Sequence, residues 1–451
     1  KRQILDTIIL YRGGLMPYHQ RKLPLLVLLT LSVASGTALA DDIEKKIEDA
    51  LKIGKDGAIK IDTRYRYENV NQKNVINPVT GVPLAAQPKT ANANTIRTRF
   101  GILTPSYQGV QGYVEYEGTH VLQNDYNSTH NSKPGFSTVA DPDWNELNQL
   151  WISYSGIPDT VIKGGRQRIK FDDDRFIGNV GWRQLETTYD AVLVTNKSIK
   201  NLTANVGYIG HVTTFTATNE DIRAPILNLN YNMGDYGNLI GYGYWLGYTQ
   251  PDTTGKTGTQ ISKSNQTYGI RIVNPEKPSK KFMEHFSPLY TAEWSIQSDY
   301  IHSPVEYTAN RFNFMGGLRA YDTIDLMAGM EQLNGHGVNQ AFVTPLGTNH
   351  AFQGWADLFL NTPKDGIRDV YGSLVGHLMN DSLEVTGTYH SFTDDTGNIN
   401  YGDEWDFQAI KKFGKHYSVL AKYAYFNSAG SHFSSQDTDT QKVWVQGNVN
   451  F

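Results

Sequence analysis

The stretch AIKIDTRYRYE, residues 58–68, divides cleanly in two. Ile59, Ile61, Tyr65 and Tyr67 fall on one side, and Lys60, Asp62, Arg64, Arg66 and Glu68 on the other. A period of two is the period of a β-strand, whose side chains alternate between its faces. Here one face is apolar and aromatic while the other is charged. The same division recurs along the chain. Ile96, Phe100 and Ile102 oppose Arg97 and Arg99; Val114 and Tyr116 oppose Glu115 and Glu117. Tyr268, Ile270 and Ile272 oppose Arg271, Trp405 and Phe407 oppose Asp406, and Val419, Ala421 and Tyr423 oppose Lys422.

Alternation alone leaves two all-β architectures open, because a soluble sandwich also turns one face inward. Strands of about 10 residues, rich in Tyr and Trp, favour the transmembrane barrel. A mean hydropathy of −0.45 agrees, since lipid-facing and lumen-facing residues average out in such a chain. No apolar run after residue 40 reaches the ~20 residues that a spanning helix needs. The absence of cysteine excludes a disulfide framework, thiol chemistry and a lipoprotein anchor.

Residues 1–15 read as over-extended translation and 16–40 as a signal peptide. Arg21 and Lys22 precede the apolar Leu23–Val33, and Ala38-Leu39-Ala40 has the form of a cleavage site. Residues 41–56 read as a short periplasmic helix and linker, with Ile43, Ile47, Ala50 and Leu51 on one face and Gly54 ending it. The barrel is expected over 57–451. Residues 1–40 hold five cations and one acid, so the remainder is four charges more negative than the chain's net −4. That balance argues against nucleic acid as a partner.

Long and short connections alternate, as an up-and-down barrel requires. A first count gives 19 strands and puts the tight Met379–Asp381 turn on the side of the long loops. Moving GWADLFLNTPKDG (354–366) into a long loop restores the alternation. The expected fold is therefore an all-β, 18-stranded antiparallel transmembrane barrel in the outer membrane, with both barrel termini periplasmic. At the end, Val443, Val445, Val449 and Phe451 share one face. A terminal Phe451 on an alternating strand is the expected signal for the barrel assembly machinery.

Several longer segments carry a resemblance. GGRQRIKFDDDRFIGNVGWRQLETTYDA (164–191), KIDTRYRYENV, TIRTRFG, GWADLFLNTPKDGIRDVY and TGTYHSF resemble the alginate-export family of outer-membrane barrels. The resemblance implies an 18-stranded monomer whose narrow, basic lumen passes an anionic polyuronate outward.

Parity gives the lumen inventory. The cations expected to meet cargo are Arg64, Arg66, Arg97, Arg99, Arg166, Arg168, Lys170, Arg271 and Arg311, with Lys60, Arg319 and Lys422 beside them. Arg64, Arg66, Arg97 and Arg99 should form one patch on neighbouring strands. Guanidinium suits carboxylate because its planar fork donates two parallel hydrogen bonds. The acids expected to brace the wall are Asp62, Glu115, Glu117, Asp190 and Glu293, and bracing competes with cargo contact for every lumen arginine. Arg166, Arg168 and Lys170 share parity with the lipid-facing Ile162. A β-bulge at Gly164-Gly165 would shift the phase, turning the cations inward and Ile169 and Phe171 to lipid.

Asp172–Asp174 would mark the strand's exit, as a calcium site or a solvated turn. Loops 69–93 and 122–144 are candidate lids, and the turn 275–287 a candidate plug. No metal, cofactor or catalytic group is expected: His377 and His390 lie on adjacent strands, yet GxSxG and HExxH motifs are absent. The functional expectation is a channel for an anionic oligo- or polysaccharide. A porin for small carboxylates and a structural or adhesive barrel are the alternatives. Outer-membrane lipid and lipopolysaccharide are the expected surroundings.

Overall fold

The computed structural model describes residues 37–74, 87–249, 263–275, 285–301, 303–430 and 437–451. One helix, α1 (Thr37–Leu51), begins four residues before the expected start and takes in Ala38, Leu39 and Ala40. It stops at Leu51 because Lys52 and Ile53 turn back through Gly54, at φ 61°, to pair with Ala58 and Gly57.

Eighteen strands follow. β1 is Gly57–Asn74, β2 Ala91–Leu103, β3 Val110–Asp125, β4 Trp144–Ile157, β5 Thr160–Gln167 and β6 Thr188–Asn196. β7 is Leu202–Thr213, β8 Asn219–Asn232, β9 Asn238–Tyr248, β10 Asn265–Val273, β11 Phe286–Asp299 and β12 Thr308–Ala320. β13 is Ile324–Leu333, β14 Ile367–Leu378, β15 Leu383–Thr393, β16 Asn400–Phe413, β17 Tyr417–Ser428 and β18 Thr438–Asn450. Each pairs antiparallel with its neighbour in sequence, and β18 pairs with β1, which closes the sheet. Residues 354–366 lie in the connection between β13 and β14, as the count of 18 requires. The chain end is tied in: Phe451 N–H donates to the Ile61 carbonyl at 2.8 Å, and its ring stacks on His416 at 4.2 Å.

Alternation sorts the faces as expected over most of the wall. Ile152, Val192, Val206 and Leu374 stand exposed outside, while Arg97, Glu117, Asn228 and Asp406 are buried inside. Outward Trp245 and Trp294 keep their indole N–H groups satisfied along the wall, by Tyr268 Oη at 2.8 Å and Asn310 at 3.1 Å. An arginine on this outer face costs about 2–4 kcal/mol near a bilayer midplane. Val206→Arg should therefore lower stability by roughly that amount. Unfolding in lipid vesicles measures it, and an unchanged midpoint would mean that Val206 does not meet lipid.

The segment 164–174 departs from its expected course. β5 pairs in unbroken register through both glycines, Gly164 with Ile152 and Gly165 with Trp151, so no bulge shifts the phase. Arg166 consequently lies across from Leu150, an outer-face residue 53% exposed, and binds Asp190 at 2.8 and 3.0 Å. Directly paired residues share a face, so Arg166 and Asp190 stand on the barrel's exterior and not in its lumen. β5 then ends at Gln167 and the chain bends into the barrel. Ile169 and Phe171 are buried in an internal apolar cluster, so they do not face lipid. Lys170 lies on this incoming segment, bonded to Asp174 at 2.8 Å.

The internal cluster explains the bend. On β6–β9 the inward face is itself apolar, with Ile222, Ala224, Ile226, Tyr242 and Tyr244. Phe171, Phe176, Ile177, Phe342 and Leu346 from two long connections pack on it. Burying such side chains is worth about 1.5–3 kcal/mol each, which holds the loops inside.

Candidate lumen barrier and charged wall

Two connections cross the lumen: 168–187, between β5 and β6, and 334–366, between β13 and β14. They are joined as backbone. Ile177 bridges Leu346, Gly178 N–H donates to the Leu346 carbonyl at 2.9 Å, and Thr348 N–H donates to the Asp174 carbonyl at 2.8 Å. Arg175 adds side-chain bonds to Asn349 and Gln353, both at 3.0 Å. The expected lids are a different pair. Loop 126–143 packs through Tyr126 and Val139 against Val70, Ala91 and Ala93, and its Asp141 reaches the barrier. Residues 75–86 of the other lid, and 276–284, most of the expected plug, lie outside the described residues.

Both crossing loops grip Lys422 of β17. Its Nζ lies 3.6 Å from the Trp355 ring centroid, 4.3 Å from Trp182 and 5.7 Å from Trp444. Trp182 stacks on His350 at 4.3 Å, and Lys422 Nζ donates to His350 Nε2 at 2.8 Å. That leaves the His350 Nδ1–H to donate to Asp357 at 2.6 Å. Asp357 also receives Lys442 of β18 at 2.7 Å. Burial holds His350 well below its usual pKa. Asp357 is buried too, yet His350 and Lys442 outweigh the burial and depress it. Farther along, Glu404 and Asp406 of β16 accept the backbone N–H groups of Ala356, at 2.7 Å, and Trp355, at 3.1 Å. These fix loop 334–366 to the wall by satisfying donors that would otherwise be buried alone.

The four arginines of β1 and β2 do come together, with Arg64 directly across from Arg97. Each has a partner. Arg64 donates to the carbonyls of Gly181, at 2.9 Å, and Arg183, at 3.1 Å; Arg66 donates to Trp182 O at 2.5 Å and lies 4.2 Å from its ring. Arg97 binds Asp62, and Arg99 binds Glu117, both at 2.5 Å. Arg168 enters the lumen by the bend of the chain and binds Glu186. Burial would raise Glu186, but Arg99 and Arg168 hold it at about 2. Glu115 accepts from Asn148 and Gln149, each at 2.8 Å. On the opposite wall, Arg311 spans Glu331 at 2.6 Å and Glu293 at 3.0 Å, while Arg271 binds Asp173. Asp172 accepts from Asn228 at 2.8 Å and is pushed up to about 6 by burial. Asp172–Asp174 thus sit inside the barrel as braces. Arg319 pairs with Asp325 at 2.6 Å.

The barrier divides the interior into cavities of a few hundred cubic ångströms. One of 450 Å³ is lined by Trp182, Arg183, Phe215 and Leu358. One of 370 Å³ runs along β10–β15, lined by Arg271, Phe352, Trp355, Tyr371 and His390. One of 470 Å³, by the rim where the chain ends, is lined by Lys60, Arg99, Tyr113, Trp151 and Arg168. Trp182, His350, Trp355 and Asp357 were absent from the expected site residues. Their signal was apolar content, FIGNVGW and AFQGWADLFL, in loops that water should otherwise surround.

Known proteins match at two levels. The sequence pattern of the family described as alginate export matches residues 87–202. No curated protein matches the chain in sequence. Among solved structures, OpdK of Pseudomonas aeruginosa, crystallised with vanillate, is similar with a TM-score of 0.61 at 11% identity, over 87% of this chain and 98% of its own. A BenF-like porin of Pseudomonas fluorescens is similar with a TM-score of 0.65 at 12% identity, over 88% and 99%. OccAB2 of Acinetobacter baumannii gives 0.63 at 12%, over 88% and 98%. At such identities these likenesses speak for the fold alone. The closed 18-stranded wall is thus the fold of outer-membrane porins, and residues 87–202 carry the pattern of the alginate-export family.

Proposed function

We propose that the protein is a selective channel for small carboxylate-bearing solutes. The observation that carries this reading is the pair of loops packed across the lumen, which leave cavities of 450 and 470 Å³ whose linings hold more guanidinium and ammonium groups than carboxylates. Spaces of that size suit a single ring or a short chain, and cationic walls of low dielectric concentrate anions and repel cations. The relatives crystallised as porins, one of them with vanillate, agree with this solute class. The barrel is oriented in this reading with both ends of the sheet toward the periplasm and the crossing loops entering from outside.

The matched alginate-export segment favours a second reading, passage of an anionic oligosaccharide. Planar-bilayer recordings separate the two. The expected result is anion selectivity, current carried by benzoate as the sole anion, and no block by a uronic-acid hexamer. Block by the hexamer would favour the second reading. Cation selectivity would overturn both.

A further inference from the structure

Most lumen cations have a carboxylate, carbonyl or imidazole partner, and two described ones do not. Among the described residues, neither Lys60 of β1 nor Lys163 of β5 has a carboxylate within 4.0 Å, and neither ammonium donates a hydrogen bond. Both stand over one aromatic panel. Lys60 Nζ is 5.5 Å from the Tyr113 ring centroid and Lys163 Nζ is 4.3 Å from that of Trp151. The two rings lie 5.5 Å apart at 40°.

The wall is shaped to hold these rings. Gly101 carries no side chain where the Tyr113 ring lies, and a Cβ there would overlap the phenol. Gly165 faces Trp151 at φ 121°, a backbone angle that glycine tolerates and other residues rarely adopt. The acids of the cavity are occupied. Asp62 holds Arg97, and Glu115 takes the Tyr113 hydroxyl, Asn148 and Gln149. Lys60, Tyr113 and Trp151 line the 470 Å³ cavity, together with Lys415 and His416. The chamber therefore has a surplus of positive charge, with Lys60, Arg99, Arg168 and Lys415 against Asp62 and Glu115, and Lys163 stands over its Trp151 wall from beyond the lining.

We infer that this chamber is a binding site for a ring-bearing carboxylate, with Lys60 and Lys163 taking the carboxylate and the Tyr113–Trp151 panel taking the ring. An anion supplies what two ammoniums need, and aromatic surface favours an apolar or planar body. The site deepens the small-carboxylate reading and rests on it. It lies nearer the chain-end rim than the barrier, so it would be the station a solute occupies after passing the loops.

The test is calorimetric titration of the full chain, folded in detergent, with benzoate as the probe. Wild type is compared with Lys60→Gln/Lys163→Gln, and folding is checked by heat-modifiable gel mobility. The double variant is expected to bind benzoate about tenfold or more weakly, as lost charge-assisted bonds imply. Trp151→Leu should weaken benzoate and leave acetate unchanged, and benzamide should not bind to wild type. Equal benzoate affinity in wild type and double variant, or no binding to wild type, would overturn the site. A cation-selective wild-type channel that still binds benzoate through these lysines would overturn the transport reading and uphold the site.

Discussion

Channels carrying Trp182→Ala and Trp355→Ala together should conduct several-fold more current than wild type. The two indoles reach Lys422 from different loops, at 4.3 and 3.6 Å, and Trp182 also stacks on His350. A desolvated cation–π contact is worth up to about 2 kcal/mol. Removing two withdraws about 2–4 kcal/mol from the packed arrangement. Taking a two-state equilibrium from one extreme to the other requires about 5.5 kcal/mol. The double variant should therefore flicker between narrow and wide levels, with the single variants between it and wild type. Unchanged single-channel currents would mean that the Arg175 and Arg66 bonds hold the loops without the cage.

Acidification should act in the same direction. His350 is neutral in the packed state, bonded to Lys422 of the wall and to Asp357 of its own loop, and Asp357 in turn meets Lys442 and Arg183. Its pKa is lowered by burial, so the released state binds the proton more readily. Packing is then strongest above the ordinary histidine pKa of about 6.5 and weakens as the pH falls below it. Asp357, also depressed, contributes with the same sign at lower pH.

The second large effect is on stability. Arg311→Met should cost about 3–5 kcal/mol, as breaking a buried ion pair from one side does. Arg311 is fully buried between Glu293 and Glu331, with Phe176 against its guanidinium at 5.3 Å. Arg175 still reaches Glu331 and Tyr242 still reaches Glu293, so both acids keep one donor. Arg319→Met is the contrasting case. Its partner Asp325 also accepts from His377, and Arg319 is about a quarter exposed, so the loss should stay within about 1 kcal/mol. Urea unfolding in vesicles compares them. Equal midpoints would show that the Arg311 site is hydrated and screened.

The wall was legible in the sequence because a strand repeats every two residues and the sign of each face can be checked over eighteen elements. Loop parity then decided where residues 354–366 belong, against an initial count that made a strand of part of that segment. The interior was less legible. Arg166, Arg168 and Lys170 have strand spacing, and nothing local announces that β5 stops between the first and the second. What stops it is tertiary: the apolar inner face of β6–β9 offers more burial to Ile169 and Phe171 than lipid contact at the rim would. Regular spacing thus indicated a shared wall where the chain was turning into the lumen. Pairings such as Arg99 with Glu186 and Arg271 with Asp173 join strands to loops, and no sequence period reports them.

The outward pair of Arg166 and Asp190 has a consequence for how the protein floats. It lies at the loop end of β5 and β6, beside His211 and Asp221, which are bonded at 2.7 Å on the next two strands. Acyl chains cannot rise past such groups without stripping their water, whereas headgroups can meet them. On this arc the hydrocarbon must end lower than the strands do. The barrel is therefore moored at an uneven waterline, with one shoulder standing in the headgroup layer beside the point where the barrier loop enters.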